Sequence, residues 1–183
     1  NPSHYDSYGK LVKSLNYLRD ANNPESQIAD NILTYQTLSK KLTAATHPHF
    51  NPPPDRKNLS CYPNFLIIGQ QKCGTTSLYS YLIKHPQILP SIQKEIHFWN
   101  DNFNLGLDWY LAHFPSIPTT QDFITGEASA IYLNSPEIAK NIAKFFPNIK
   151  LIVLLRNPVE RTISDYYMAC RLGNEERSLE EAI

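Results

Sequence analysis

One short segment of the sequence combines glycines, a lysine and hydroxyl side chains at a spacing suited to binding an anion. Residues 69–77 read Gly-Gln-Gln-Lys-Cys-Gly-Thr-Thr-Ser, with four residues between the two glycines. Glycines let successive backbone N–H groups turn toward a bound group, and a following helix adds partial positive charge. The segment therefore predicts a loop that holds a phosphate-type group. The candidate ligands are Lys72, Cys73, Gly74, Thr75, Thr76 and Ser77.

This loop differs from the phosphate loop of nucleotide triphosphatases in the position of its lysine. Those enzymes carry lysine directly after the second glycine, whereas this chain has Thr75 there and Lys72 two residues before Gly74. They also place an aspartate near the end of a strand to hold Mg²⁺, whereas the apolar run 150–155 is followed by Arg156. Arg156 is a basic residue at the position where those enzymes have the acidic ligand of the metal. This favours a site that binds its anion without a metal.

Two continuous apolar runs predict the strands that position these residues. Residues 65–68 precede the loop, and residues 150–155 precede Arg156. Continuous rather than alternating apolar runs favour strands that are covered on both faces, as in a parallel sheet. Residues 123–127 predict a third strand. Because strands alternate with helical segments, we predict an α/β fold with three layers, a central parallel sheet and a P-loop-like strand–loop–helix.

Three helices are expected around this sheet. The first begins near Thr75, and the second begins at residues 135–137 and ends at Pro147. The third has Asn157 as N-cap, Pro158 at its first position and Glu160 at the capping-box position. The residues expected on inner faces are Leu78, Tyr81 and Leu82 in the first helix and Ile138, Ile142 and Phe145 in the second.

Composition bounds the class of protein. The 183 residues are 42% hydrophobic, which suits a globular domain. Lys plus Arg and Asp plus Glu are both 17, so net charge does not indicate a nucleic-acid partner. No run approaches the roughly 18 apolar residues of a membrane span. Three cysteines without a CxxC pair favour a cytoplasmic location and no metal, with a Golgi-lumenal origin as the alternative.

The first 58 residues differ in character from the rest. Residues 1–46 predict two short amphipathic helices split at residues 22–24, and the prolines of residues 47–58 predict an extended linker. We therefore expect a helical N-terminal segment over 1–58 and the main domain over 59–183. Because the chain starts without methionine and stops inside a predicted helix, we also expect it to be a fragment.

Taken together, these motifs resemble the sulfotransferases that use 3′-phosphoadenosine 5′-phosphosulfate (PAPS), most closely the heparan-sulfate-type branch and its bacterial relatives. The resemblance covers more than half of the chain and depends on the order and spacing of its segments. These segments are residues 65–79, His85-Pro86, residues 94–99, Gly126-Glu127, and residues 154–161 with Ser164 and Tyr166.

The resemblance implies a role for each matching residue. Lys72 would contact the 5′-phosphosulfate and stabilise charge on the leaving phosphate, and the loop would wrap that group. Arg156 and Ser164 would bind the 3′-phosphate, for which the arginine fork is well suited. Glu95 would be the general base, and His97 would lie in the acceptor site. The implied catalytic residues are therefore Glu95, Lys72 and His97.

Residues 94–99, Lys-Glu-Ile-His-Phe-Trp, allow an independent argument about the base. A strand-like period places Glu95 and His97 on one face. A carboxylate base needs a raised pKa, which burial near the following aromatic pair would supply. The alternative is that Glu95 only pairs with Lys94 or another cation.

Other residues near these motifs have structural interpretations. We prefer a surface ion pair with Asp165 over a phosphate contact for Arg161. Glu127 follows a predicted strand, and the sequence favours neither a structural nor a functional role for it. The expected core residues, in preference to an acceptor platform, are Trp109, Tyr110 and Phe114.

The resemblance implies sulfuryl transfer from PAPS to a hydroxyl or amine of a saccharide, a lipid or a carrier-bound acyl chain. Two alternatives stay open, a P-loop kinase or NTPase-like nucleotide-binding protein and a non-catalytic, truncated sulfotransferase-like module. The resemblance also implies a C-terminal third that supplies a loop over the 3′-phosphate, and we expect that third to be absent from the given residues. We therefore expect this chain to hold only part of the donor site.

Overall fold

The computed structural model describes residues 33–34, 36–38, 40–41, 59–60, 62–118 and 122–182. The described residues between 33 and 41 are helical. The predicted helix break at residues 22–24 and the linker over 47–58 lie outside the described residues.

In this part of the chain, strands and helices alternate as the sequence predicts. Two 3₁₀ helices, Phe103–Leu105 and Tyr132–Asn134, accompany them. The strands are β1 Leu59–Ser60, β2 Phe65–Gly69, β3 Ile88–Pro90, β4 Ile117–Pro118, β5 Ile124–Ala128 and β6 Lys150–Val153. The helices are α1 Thr75–Leu82, α2 Leu107–Leu111, α3 Pro136–Phe145, α4 Pro158–Arg171 and α5 Leu179–Ala182.

A parallel sheet of four strands forms the centre of the fold, in the order β3-β5-β2-β6. The short strands β1 and β4 pair separately and antiparallel. The α/β class with a central parallel sheet is therefore confirmed. Strand β3 was not predicted, because its three residues end in Pro90, and proline within a run argues against a strand except at an edge.

Strand β2 separates two apolar clusters, which gives the three predicted layers. Its Leu66 and Ile68 belong to the large cluster with α3 and the aromatic residues, whereas Phe65 and Ile67 pack with Tyr79 of α1. All five residues of β2 are buried. The prediction that this apolar run is covered on both faces is confirmed.

For strand β6 the same prediction is wrong. Leu151 and Val153 are 52% and 43% exposed, and the strand ends at Val153, two residues before the expected end. Leu151 lines a cavity of about 380 Å³ that also borders α3, so α3 does not close over this side of β6. The apolar run indicates a parallel strand, but it does not reveal that the strand lies at one end of the sheet order.

Two predicted helix faces also need correction. In α1 the buried aromatic residue is Tyr79, whereas Tyr81 is 67% exposed. Tyr79 turns inward because its hydroxyl lies 2.8 Å from the Ser91 hydroxyl and accepts from the Ser91 N–H at 3.0 Å. After α3, Phe146 occupies the core while Phe145 is 39% exposed. The other expected inner residues, Leu78, Leu82, Ile138 and Ile142, do pack inward.

Candidate active site

The predicted anion loop connects β2 to α1. Gly74 is the N-cap of α1 with φ +90°, and a Cβ built on it would meet nothing within 4 Å. The first-turn N–H groups of a helix have no intrahelical acceptor, and no side chain caps them here. Thr76 and Ser77 are exposed, and Thr75 is buried. The loop therefore presents open N–H and hydroxyl donors, a donor set that fits an anionic group.

The first glycine of the loop has a different role, which is close packing. A Cβ on Gly69 would lie 2.8 Å from Leu133 Cβ and 3.1 Å from the Ala130 carbonyl oxygen. Those residues belong to the turn and 3₁₀ helix after β5. The start of the loop is therefore fixed against the chain that follows the neighbouring strand.

Two residues predicted to bind the donor, Lys72 and Arg156, are adjacent through the Lys72 backbone. The Arg156 Nη1 donates to the Lys72 carbonyl oxygen at 3.4 Å. Beyond the paired residues of β2 and β6, Gln70 N donates to the Leu154 carbonyl and Leu154 N to the Gly69 carbonyl, both at 2.8 Å. These bonds hold the loop against the end of β6, so Lys72 and Arg156 lie at the same edge of the sheet.

The start of α4 is close to its prediction but not identical. The Asn157 side chain accepts from Val159 N at 3.0 Å and Glu160 N at 3.4 Å, which confirms it as N-cap. Glu160 does not complete a capping box. Its carboxylate instead accepts from Arg156 Nε at 3.1 Å, because Arg156 lies four residues earlier in the chain, about one helical turn away.

Helix α4 carries two further predicted residues. Arg161 pairs with Asp165 at 3.5 Å, which confirms the preferred ion pair. Ser164 is half-buried in the second turn of α4. Its role toward a 3′-phosphate depends on the resemblance and stays a prediction.

Glu95 and His97 come together as predicted, but not on a strand. Residues 94–99 form an irregular turn in which Glu95 and His97 have φ of +62° and +54°. The Glu95 Oε2 lies 3.3 Å from His97 Nε2, and its Oε1 accepts from Lys94 Nζ at 2.5 Å. Ile96 and Phe98 are buried. The alternation of faces is right, whereas the strand conformation is wrong because two positive φ angles bend the chain.

The electrostatics of Glu95 contradict the expectation of a raised pKa. Burial does raise it, but hydrogen bonds and charge from His97 and Lys94 outweigh burial and lower the pKa of Glu95 to about 2. Glu95 is therefore a carboxylate at neutral pH. The sequence expectation weighed the aromatic neighbours and not the histidine two residues away.

His97 lies between two oxygen acceptors. Its Nε2 faces Glu95, and its Nδ1 lies 3.3 Å from Asn100 Oδ1. The hydrogen bond to Glu95 is the main cause that raises the pKa of His97 above its ordinary value. Sequence reasoning missed Asn100, although the three-residue spacing from His97 in a turn places two side chains within reach.

The carboxyl end of β5 lies beneath this turn and holds Glu127, which is fully buried. Its carboxylate accepts from the hydroxyls of Tyr110, Ser129 and Tyr132. Sequence reasoning missed Ser129, although the two-residue spacing from Glu127 indicates a shared face. The expected core residues Trp109, Tyr110 and Phe114 are buried as predicted.

The described residues indicate neither a metal site nor a membrane span. They contain no group of three or more His, Cys, Asp or Glu side chains that could hold a metal ion. Cys73 and Cys170 are free thiols. In the same residues, every helix is too short or too polar to cross a membrane.

Comparisons with known proteins extend this picture. A family described as the sulfotransferase domain matches residues 62–183. The chain is 42% identical over 117 residues to the membrane-associated sulfotransferase kil1 of Dictyostelium discoideum, covering 63% of this chain and 25% of that protein. It is 43% identical over 112 residues to the human bifunctional heparan sulfate N-deacetylase/N-sulfotransferase 3, covering 57% of this chain and 13% of that protein.

A solved structure gives the same result. The crystal structure of a sulfotransferase from Alicyclobacillus acidocaldarius matches with a TM-score of 0.57 and 34% identity, over 66% of this chain and 55% of that one. This chain spans a quarter or less of the length of the two curated relatives.

Proposed function

This chain belongs to the sulfotransferase family, and on that premise we propose that it transfers a sulfuryl group from PAPS to a hydroxyl or amine acceptor. The observation that carries the proposal is the contact between Arg156 and the Lys72 carbonyl. The contact is to the Lys72 backbone, and it places the Arg156 guanidinium beside the loop, where a triphosphatase would have an acid for Mg²⁺.

PAPS, when bound, supplies the activated sulfuryl group and a phosphate leaving group. The proposed ligands of its 5′-phosphosulfate are Lys72 and the N–H and hydroxyl groups from Cys73 to Ser77. Arg156 and Ser164 are the proposed ligands of the 3′-phosphate. The open space at Gly74 and the uncapped start of α1 support this assignment, since a bulkier or capped loop would exclude an anion.

Glu95 is the proposed general base, with His97 beside it. The two carboxyl ends of neighbouring parallel strands lie at the same edge of a sheet, and ligands of open α/β sheets bind there. The loop follows β2, and the Glu95–His97 turn is held against the end of β5. Glu95 is deprotonated at neutral pH, so it can accept the proton that the acceptor loses as its bond to sulfur forms, but the pairing with His97 and Lys94 that lowers its pKa to about 2 also makes it a weaker base.

The acceptor that we propose is a saccharide. The human relative is a heparan sulfate N-sulfotransferase at 43% identity, which supports an amine or hydroxyl on a sugar over the other classes. The cytoplasmic location expected from the cysteines and the domain boundary at residue 59 stay predictions. The relative from Dictyostelium is named a membrane-associated enzyme.

Isothermal calorimetry with 3′-phosphoadenosine 5′-phosphate tests the donor site. We expect binding that is the same in Mg²⁺ and in EDTA, and a Lys72→Met variant that binds roughly 10- to 100-fold more weakly, because it loses a charge-assisted contact. Lys84→Met is the matched control, since Lys84 lies over the Tyr81 ring after α1, away from the loop. Tight ATP binding that requires Mg²⁺ would overturn the proposal in favour of a nucleotide triphosphatase.

A further inference from the structure

The end of β5 carries an acid that is enclosed by hydroxyl groups. The Glu127 Oε1 accepts from Tyr110 Oη at 2.8 Å and from Tyr132 Oη at 3.0 Å, and its Oε2 accepts from Ser129 Oγ at 2.6 Å. Among the ion pairs of the described residues, none includes Glu127. A buried carboxylate is costly unless its hydrogen-bond positions are filled. The three hydroxyls fill positions on both oxygens and favour the charged form, while burial raises the pKa of Glu127.

One of these hydroxyls connects the buried acid to the candidate catalytic turn. Ser129 Oγ donates its proton to Glu127 and accepts from the His97 N–H at 3.2 Å. The neighbouring Ala128 carbonyl accepts from the Glu95 N–H at 3.0 Å. Because a hydroxyl has one proton, donation to Glu127 leaves the oxygen lone pairs to face His97. Glu127 therefore orients the Ser129 hydroxyl so that its oxygen accepts from the His97 N–H.

These bonds hold the turn in an unusual conformation. Glu95 and His97 both have positive φ, at +62° and +54°. Residues with a Cβ adopt this region rarely, and they persist there only where surrounding contacts impose it. The contacts from Ala128 and Ser129 fall on the N–H groups of these same two residues, and the side chains then meet at 3.3 Å.

We propose that Ser129, oriented by the buried Glu127 carboxylate, is a positioning residue. It holds the Glu95 and His97 side chains at a fixed separation for proton transfer. The proposal rests on the proposed function, in which Glu95 takes the acceptor's proton. Ser129 acts through the backbone of His97. Without its hydroxyl, His97 N loses its partner, the positive φ relaxes, and the distance between Glu95 and the His97 ring is no longer fixed.

NMR titration of the His97 ring tests this proposal without any activity measurement. The bond to Glu95 raises the pKa of His97, so a loosened turn brings that pKa back toward the ordinary value near 6.5. We expect this fall in Ser129→Ala, with the resonance assigned by its loss in His97→Gln. Thr125→Val is the matched control, because it also removes one buried hydroxyl, which donates to the Leu89 carbonyl at 2.9 Å. A folded Ser129→Ala protein with the wild-type His97 pKa would overturn the proposal.

Kinetics give a second readout. Ser129→Ala should lower kcat by roughly 10- to 100-fold, as expected for a misplaced catalytic group, with KM for PAPS changed less than about twofold. Thr125→Val should leave both constants near wild type. An equal loss of kcat in Thr125→Val would show that any buried hydroxyl matters, and would contradict a specific role for Ser129.

Ser129→Thr and Ser129→Val cover the case in which Ser129→Ala does not fold. These side chains have the same shape, so both strain the buried site equally and differ only in the hydroxyl. Ser129→Thr should keep more of the kcat and of the raised His97 pKa than Ser129→Val, and equal values in the two variants would contradict the proposal. Wild-type protein that neither binds 3′-phosphoadenosine 5′-phosphate nor transfers sulfate would instead refute the proposed function, while the His97 titration still decides the role of Ser129.

Discussion

The Glu95–His97 turn and the Arg156 region lie at the same edge of the sheet, but the fold holds them very differently. The turn packs against residues 125–130, all of which are buried. Arg156 follows the exposed strand β6, and its own side chain is 40% exposed. The Ala128 carbonyl at the end of β5 and the Ser129 hydroxyl that follows it accept from the N–H groups of the turn, whereas a surface ion pair with Glu160 and a 3.4 Å bond to Lys72 hold Arg156.

This difference separates two requirements of a transferase. A group that acts on the reacting atoms is most effective when its position is already fixed, because no free energy is then needed to order it in the transition state. A group that binds a flexible phosphate can be ordered by the ligand, at some cost in affinity. We therefore expect substitutions in the turn to change kcat, and substitutions at Arg156 to change donor affinity.

The largest effect should come from Glu95→Gln. Loss of the general base should lower kcat by roughly 100- to 10,000-fold, while the affinity for 3′-phosphoadenosine 5′-phosphate stays within about twofold. Steady-state kinetics and calorimetry on the same preparation measure both quantities. Glu137→Gln is the control, because that glutamate forms an exposed pair with Lys140 on α3. Full turnover by Glu95→Gln would remove Glu95 from the mechanism.

Arg156→Ala should have the next largest effect, on binding alone. Charge-assisted hydrogen bonds contribute about 1.5–3 kcal/mol, so the Kd for 3′-phosphoadenosine 5′-phosphate should rise roughly 10- to 150-fold. Arg161→Ala is a close control on the following helix, because Arg161 is engaged with Asp165. Adenosine 5′-phosphate lacks the 3′-phosphate, so the Arg156→Ala penalty should largely vanish with that ligand. A penalty of equal size for both nucleotides would show that Arg156 does not bind the 3′-phosphate.

The same comparison shows what the sequence could and could not predict. Strand β2, the loop and the start of α4 depend on local apolar runs, glycines and caps, and these were predicted from the residues themselves. The exposure of β6 depends on its place in the sheet order, which no local pattern encodes. Likewise, the low pKa of Glu95 depends on a turn that brings His97 to it, and the role of Ser129 depends on pairing between segments about 30 residues apart.

The resemblance supplied the proposed site residues but not the residues that contact them. Motif matching proposes Lys72, Glu95 and Arg156, because such residues recur at fixed places in short segments. Asn100 and Ser129 have no such pattern, since each is linked to the candidate site by one contact to His97. Their detection needs the three-dimensional path of the chain.

The smallest predicted effect is a pH dependence of stability within the turn. The pKa of His97 is raised above its ordinary value in the folded protein, chiefly by the bond to Glu95. A group with a raised folded pKa stabilises the fold fully below its unfolded pKa, near 6.5, and this contribution is lost as pH rises through the folded value. The lowered pKa of Glu95 adds a contribution that is constant above about pH 5, so it does not alter this trend.

Urea unfolding of wild type and Glu95→Gln between pH 6 and pH 9 measures the effect. The stability advantage of the wild type should shrink as pH rises, by less than about 1 kcal/mol, because the His97 and Glu95 side chains are 22% and 35% exposed and solvent screens the pair. The difference for Glu137→Gln should stay flat, since its partner is Lys140 rather than a histidine. A flat profile for Glu95→Gln would mean that backbone contacts to β5, rather than the ion pair, hold the turn, and this would sharpen the contrast with Arg156.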